Sequence, residues 1–282
     1  IVDHAVANPG LSSLVGALTD GGNTTFTDLL SDEEELFTVF APGNDAFDAF
    51  TNPNSNDLNA ILSNHVVVGT AAFSSDLTNS YVNTAAEFDV DENLSLYINT
   101  DDGVTLNGTS GVVMADIVAS NGVIHTVDAV IDLPTVVTFA AADPTFSTLV
   151  QALTELTPST DFVSVLSAQD GAGSDPFTVF APTNDAFAAL ASIPAEADLI
   201  PILQHHVVAG ANVRSGDLSD GATATTLEGD MITINLPGTG DNIADITDGA
   251  GNMGIGIDAV DVQAINGVIH VVDTVLLPDT SN

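Results

Sequence analysis

The sequence has no cysteine and no lysine, and Arg214 is its single Lys or Arg side chain among 282 residues. Without cysteine there can be no disulfide framework, thiolate metal site or cysteine nucleophile, so stability must come from packing. Against that one cation stand 39 Asp and Glu, for a formal net charge of −38 at pH 7. No basic patch exists to displace counterions from phosphates, which excludes nucleic acid and direct binding to anionic membranes. No uninterrupted apolar run approaches the roughly 18 residues of a membrane-spanning helix. Enzyme signatures are missing as well: there is no Gly-x-Ser-x-Gly elbow, no His-Glu-x-x-His and no phosphate-cradling glycine loop followed by lysine. Carboxylate pairs abound, as they would in any chain this acidic, and the expected reading is not an enzyme.

With 45% hydrophobic residues, the chain is long enough for two ordinary domains, each with its own core. The acidic groups are mostly Asp, scattered through turns, and read first as a hydrated surface. A sharper reading is that some gather Ca²⁺, which prefers several hard oxygen ligands. The candidates are Asp89, Asp91 and Glu92, then Asp101 and Asp102, then Asp241, Asp245 and Asp248. None completes the twelve-residue calcium loop, which needs a glycine at its sixth position and a closing glutamate. Calcium is the one candidate cofactor, and no other is expected.

The chain repeats itself. Phe37-Thr-Val-Phe-Ala-Pro-Gly-Asn-Asp-Ala-Phe47 returns as Phe177-Thr-Val-Phe-Ala-Pro-Thr-Asn-Asp-Ala-Phe187. Ile61-Leu-Ser-Asn-His-Val-Val-Val-Gly69 returns as Ile202-Leu-Gln-His-His-Val-Val-Ala-Gly210, and Asn121-Gly-Val-Ile-His125 as Asn266-Gly-Val-Ile-His270. Order and spacing are kept, so the chain reads as two copies of one domain, residues 1–134 and 135–282. Each copy opens on an amphipathic helix entered after a proline, with apolar positions Leu11, Leu14, Val15 and Leu18 or Phe146, Leu149, Val150 and Leu153. Phe37 to Phe40 reads as a short strand that stops at Pro42, after which Asn44 or Asn184 is expected to cap the next helix. Later strands are expected at Leu94–Ile98, Val112–Val118 and Val123–Ile131, and at Met231–Leu236, Ile255–Val262 and Val268–Leu276. Helices early and strands late make the fold class α+β.

These blocks, the central His-Val-Val segments and the Asn-Gly-Val-Ile-His segments resemble the fasciclin domain, twice over and along nearly the whole chain. The resemblance implies a twisted β-sheet wedge with packed helices, in secreted or surface-anchored proteins that mediate adhesion. Gly210-Ala-Asn-Val-Arg-Ser-Gly-Asp-Leu218 resembles bacterial members. The family's central motif is typically Tyr-His; here the tyrosine position holds Asn64 in one copy and His205 in the other, while His65 and His206 keep the histidine. A receptor mode that depends on the tyrosine ring is therefore not carried over.

Four of the six histidines, His65, His125, His206 and His270, fall at repeated positions among Val and Ile, the surroundings of a buried, hydrogen-bonded core group rather than a metal ligand. The adjacent pair His205-His206 diverges on a helix or strand and would need a distant third ligand to hold zinc or copper. Asn23, Asn93 and Asn107 head glycan-acceptor patterns. The expected function is an extracellular cell-surface adhesion or matrix-binding module acting by non-covalent contacts. Its partner is an extracellular polysaccharide or protein, or further copies of itself. The alternative is a structural subunit of a surface filament or of a longer repeat-containing envelope protein. Isoleucine rather than methionine at position 1 fits a processed or excised ectodomain.

Overall fold

The computed structural model describes residues 1–19, 25–169 and 176–281, and the chain divides into two compact units, 1–134 and 135–282. The first carries helices α1 (Val2–Ala7), α2 (Ser12–Thr19), α3 (Thr25–Leu30), α4 (Asn44–Ala49) and α5 (Leu58–Ser63). Its strands are β1 (Phe37–Pro42), β2 (Val66–Val68), β3 (Ser80–Asp89), β4 (Glu92–Asn99), β5 (Thr105–Leu106), β6 (Ser110–Ala119) and β7 (Gly122–Val127). The second repeats the plan with α6 (Val136–Ala142), α7 (Ser147–Thr154), α8 (Phe162–Leu166), α9 (Asn184–Ala188) and α10 (Glu196–His205). Its strands are β8 (Phe177–Pro182), β9 (Val207–Ala209), β10 (Thr223–Thr225), β11 (Met231–Asn235), β12 (Ala244–Thr247), β13 (Ile255–Ala264) and β14 (Gly267–Val272).

Each unit holds a seven-stranded sheet, ordered β2-β1-β7-β6-β5-β4-β3 in the first and β10-β11-β12-β13-β14-β8-β9 in the second. The sheet curls until its ends meet: β2 lies against β3, and in the second unit the Leu227 N–H donates to the Val207 carbonyl at 2.6 Å. The first strand pairs in parallel with the last, Phe37 opposite Gly122 and Phe177 opposite Gly267, while the other ladders are antiparallel. Strand β1 is buried along its whole length because it separates two cores. Phe37, Val39 and Ala41 pack with Leu14, Phe26 and Leu62 of the helices and with Ile124 of β7. Phe40, on the opposite face, packs with Leu96, Ile98, Leu106, Val127 and Ile131. A strand apolar on both faces reads as a continuous hydrophobic run, hence Phe-Thr-Val-Phe-Ala.

Three expectations need correction. The last strands end at Val127 and Val272; the apolar residues beyond them, through Ile131 and Leu276, run as irregular segments fastened by side chains. The expected strands do not include β2, β3, β5, β9, β10 or β12: five of these are only two to four residues long, and β3 mixes polar residues with Ala and Val and pairs irregularly between Asn83 and Asp89. The third concerns the caps. Gly43 and Thr183, not Asn44 and Asn184, occupy the cap positions of α4 and α9, with Thr183 Oγ1 accepting the Ala186 N–H at 3.2 Å.

Asn44 and Asn184 each serve a neighbouring helix instead. Asn44 Oδ1 accepts the Ser13 N–H of α2 at 3.0 Å and its Nδ2 donates to the Pro9 carbonyl at 2.9 Å. Asn184 does the same to Thr148 of α7 and Pro144, both at 2.9 Å. Orphan N–H groups in the first turn of one helix are thus satisfied by an amide from another. Asn44→Ala is expected to cost about 1–2 kcal/mol. Urea unfolding followed by tyrosine fluorescence checks this, because both tyrosines, Tyr81 and Tyr97, lie in the first unit; an unchanged midpoint would refute the tertiary cap.

Candidate functional site

The six motif positions face inward: Asn64, His65, His125, His205, His206 and His270 are each 2% exposed or less. Helix α5 ends at Asn64, which turns the next side chain back over the last turn. There the His65 Nδ1–H donates to the Ile61 carbonyl at 2.8 Å, and its Nε2 accepts the Ile131 N–H at 2.9 Å. His206 repeats both bonds, to the Ile202 carbonyl at 2.8 Å and from the Leu276 N–H at 2.9 Å. The second bond fixes the tautomer, since Nε2 must be bare to accept an N–H. Each ring therefore clamps a helix end to the irregular segment that follows the last strand. Burial pushes both rings down to about 4 from the ordinary 6.5, with the bond to the helix carbonyl pulling weakly the other way.

The other repeated histidines fasten a loop to the sheet. His125 donates from Nε2 to the Ala72 carbonyl at 3.0 Å, accepts the Asp116 N–H on Nδ1 at 3.3 Å, and stacks on Phe40 with ring centroids 5.5 Å apart. His270 donates from Nε2 to the Val213 carbonyl at 2.8 Å and sits 5.6 Å from the Phe180 ring. Burial holds His270 below its ordinary range as well.

At the position where the family resemblance leads one to look for tyrosine, both copies place an internal staple. Asn64 donates from Nδ2 to the Asp132 carbonyl at 3.0 Å and accepts the Thr84 hydroxyl at 3.1 Å. His205 accepts the Gly249 N–H on Nε2 at 3.0 Å, and its Nδ1–H faces Thr226 Oγ1 at 3.2 Å and Glu228 at 3.5 Å. Burial lowers the His205 pKa, against the opposing pull of Glu228, Asp248 and Asp230.

The calcium candidates do not assemble: among the described residues, no three His, Asp or Glu side chains are placed to hold a metal ion. Asp245 and Asp248 are buried and spent on their own loops. Asp245 accepts from Thr239 N at 3.0 Å and Asn242 Nδ2 at 2.8 Å. Asp248 accepts from Asn252 N at 2.8 Å and from Asn252 Nδ2 and Leu277 N at 2.9 Å each. Asp101 accepts the side-chain amide of Asn79 at 2.9 Å, and Asp89 accepts the Val90 N–H at 2.7 Å. Asp91 and Asp241 are exposed in turns.

Of the glycan-acceptor asparagines, Asn107 is buried and bonded through Oδ1 to the Tyr97 N–H at 2.8 Å, so it cannot carry a sugar in the folded chain. Asn93 donates to the Thr84 carbonyl at 2.8 Å, and Asn23 lies outside the described residues.

With the motif polar groups turned inward, what a partner meets is the outer surface. In the first unit that surface includes Val113, Met114 and Val118 of β6, 66%, 58% and 58% exposed. A loop carrying the exposed Phe73 is held to the same strand, because Ser74 donates its N–H and its hydroxyl to the Asp116 carboxylate, both at 2.7 Å. Asp116 sits in a bulge of β6 with φ +63°, a left-handed conformation that Asp tolerates better than most residues. In the sequence Val112–Val118 reads as a strand, and its pattern does not say which of its apolar side chains face solvent.

Each unit is therefore a mixed α+β domain with a nearly closed sheet and an inward-facing set of polar staples. Residues 9–134 and 144–278 each match the Fasciclin domain family. The chain belongs to that family, whose domains are generally non-catalytic adhesion modules. Protein sll1483 of Synechocystis sp. is 39% identical over 156 residues, covering 51% of this chain and 73% of that protein. Human periostin is 27% identical over 307 residues, covering 99% of this chain, which spans only 33% of periostin. Among solved structures, a domain pair from the insect cell adhesion molecule Fasciclin I shares the fold, with TM-score 0.57 and 21% identity over 96% of this chain and 98% of that one. No described helix is long and apolar enough to cross a membrane.

Proposed function

We propose that the chain acts outside the cell, secreted or at the cell surface, as an adhesion or matrix-binding module that holds an extracellular polysaccharide or protein by non-covalent contacts. The observation that carries this reading is the division of labour in the first domain. The motif histidines are buried and bonded inside, while β6 holds Val113, Met114 and Val118 to solvent and carries the loop with the exposed Phe73. Apolar groups clustered at the surface mark interaction sites more often than they serve stability. The family's general role as adhesion modules supports the same reading. Acidic groups around the strip would add a contribution from divalent cations shared with the partner.

The test is binding of the whole chain to immobilised cell-envelope polysaccharides and matrix proteins, with and without 2 mM calcium as a screening concentration of about that size. Saturable binding is expected, weakened at least about tenfold by the double change Met114→Asp and Val118→Asp, which places charge in the contact. Tyrosine fluorescence and circular dichroism confirm that the variant folds. Binding to none of the surfaces, or binding indifferent to the double change, would overturn the proposal.

A further inference from the structure

The two domains contain an apolar cavity in the same place, between the helices and the sheet, lined at matching positions. Leu14 and Leu149, Val39 and Val179, His65 and His206, and Ile124 and Ile269 line the two in turn. Their sizes differ greatly: about 50 Å³ in the first domain and about 270 Å³ in the second. Interiors are packed nearly as densely as organic crystals, and empty space of that size is costly to maintain. At two matching positions the second domain has the smaller residue, Val136 for Ile1 and Ala141 for Val6, and at one the larger, Phe146 for Leu11. The enlarged space is therefore not the mark of one truncated side chain. It has a way in: Ala141 and Val163 of the lining are solvent-exposed, whereas Phe146, Phe162 and Ile269 at its floor are buried.

We propose that this cavity is a binding site for one small, uncharged apolar molecule. The lining contributes almost no polar surface, and both nitrogens of its deepest polar group, His206, are already bonded to Ile202 and Leu276. The other polar side chain of the lining, Thr154, lies at the exposed rim and spends its hydroxyl hydrogen on the Val150 carbonyl at 2.7 Å, so shape and apolarity do most of the selecting. Charge excludes anions: the chain carries −38, and Arg214 does not line the cavity, its guanidinium being held 3.9 Å from Asp261 and 3.4 Å from Gln263. A fatty-acid carboxylate is thus disfavoured where its alcohol is accepted. An apolar cavity of about 150 Å³ takes up benzene, and at about 30 Å³ per small group, as for water, the larger space here holds roughly nine non-hydrogen atoms.

The probes are the pair 1-octanol and octanoate, which match the space in length and differ in charge, followed by titration calorimetry. One octanol per chain is expected to bind saturably, not two, because the first domain's cavity is too small. Octanol is also expected to raise the melting temperature, with octanoate at least about tenfold weaker. Ala140→Leu and, separately, Val150→Phe fill the space and are expected to weaken octanol by at least about tenfold without altering tyrosine fluorescence of the first domain. Absence of saturable binding, two octanols per chain, or equal affinity for octanoate would each overturn the proposal. So would unchanged affinity in a variant that keeps the wild-type circular dichroism. If neither variant folds, the stoichiometry and the octanol–octanoate contrast in the wild-type chain still decide. Sedimentation with phosphatidylcholine vesicles, with no release by free octanol, would place the preference on membrane acyl chains and overturn it also.

Discussion

Acidification from pH 7 to pH 4 is expected to remove about 3 kcal/mol of stability from each domain through one histidine apiece. His65 and His206 are wholly enclosed, and their folded-state pKa of about 4 lies below the ordinary 6.5. In the unfolded chain each ring takes a proton as pH drops through 6.5, whereas the folded domain refuses one until about 4. The unfolded state binds more protons throughout that window, so stability is fully present above 6.5, declines as pH falls, and levels off below the folded value. Protonation also destroys the clamp, because Nε2 then carries a hydrogen against the Ile131 or Leu276 N–H. The second domain is expected to be the more acid-labile, since burial also depresses His205 and His270. Urea midpoints between pH 7 and pH 4 check this, with tyrosine fluorescence reading the first domain and far-ultraviolet circular dichroism both. His65→Gln should flatten the pH dependence of the tyrosine signal and His206→Gln should not; parallel slopes for wild type and His65→Gln would refute the assignment.

Gly122→Ala and Gly267→Ala are each expected to prevent their own domain from folding. Both glycines open the last strand with positive φ, +152° and +154°, and each lies opposite the first residue of the parallel partner strand. A β-carbon at Gly122 would overlap the Phe37 carbonyl oxygen, and one at Gly267 the Phe177 carbonyl oxygen. The obstacle is backbone in the middle of a sheet, so it cannot rotate aside as a side chain would. Relief requires breaking the ladder between first and last strand, which exposes the apolar faces of both cores. Loss of cooperative unfolding in Gly122→Ala, with the second domain's transition retained, is the outcome to look for in circular dichroism. Gly103→Ala makes a useful contrast, because that glycine also has positive φ, +94°, but no neighbour within 4 Å, and its cost is expected to be about 1 kcal/mol.

The doubled domain and the inward set of the histidines were legible because each rests on a local pattern: a repeated string in one case, Val and Ile neighbours in the other. The cap assignment was half legible. Asn44 does accept a helical N–H, but from α2, and nothing in Pro-Gly-Asn-Asp says which helix start lies within reach. The same limit hides the burial of Asn107, whose Asn-Gly-Thr string looks like any exposed turn although its side chain closes on the Tyr97 backbone. The long expected strands overran at Val127 and Val272 because Val and Ile there serve the core without a ladder, a distinction made by the histidine clamp and not by propensity. The cavity of the second domain was beyond reach of the sequence altogether. Its lining residues are nearly those of the first, and the few that differ change size in both directions.

The parallel pairing of first and last strand bears on how the protein is made. On the ribosome β1 emerges long before β7, and β8 long before β14, so each central strand must wait for its parallel partner with one edge unpaired. Loop closure over nearly a whole domain then precedes the contacts that reward it, which makes assembly slow for the size of the domain. A nascent chain halted before residue 122 lacks the ladder beside β1, and with it Ile124, Val127 and Ile131 from the two cores that Phe37 and Phe40 enter. Each domain is therefore an all-or-nothing product of synthesis, and an incomplete copy is left as a substrate for chaperones or proteases.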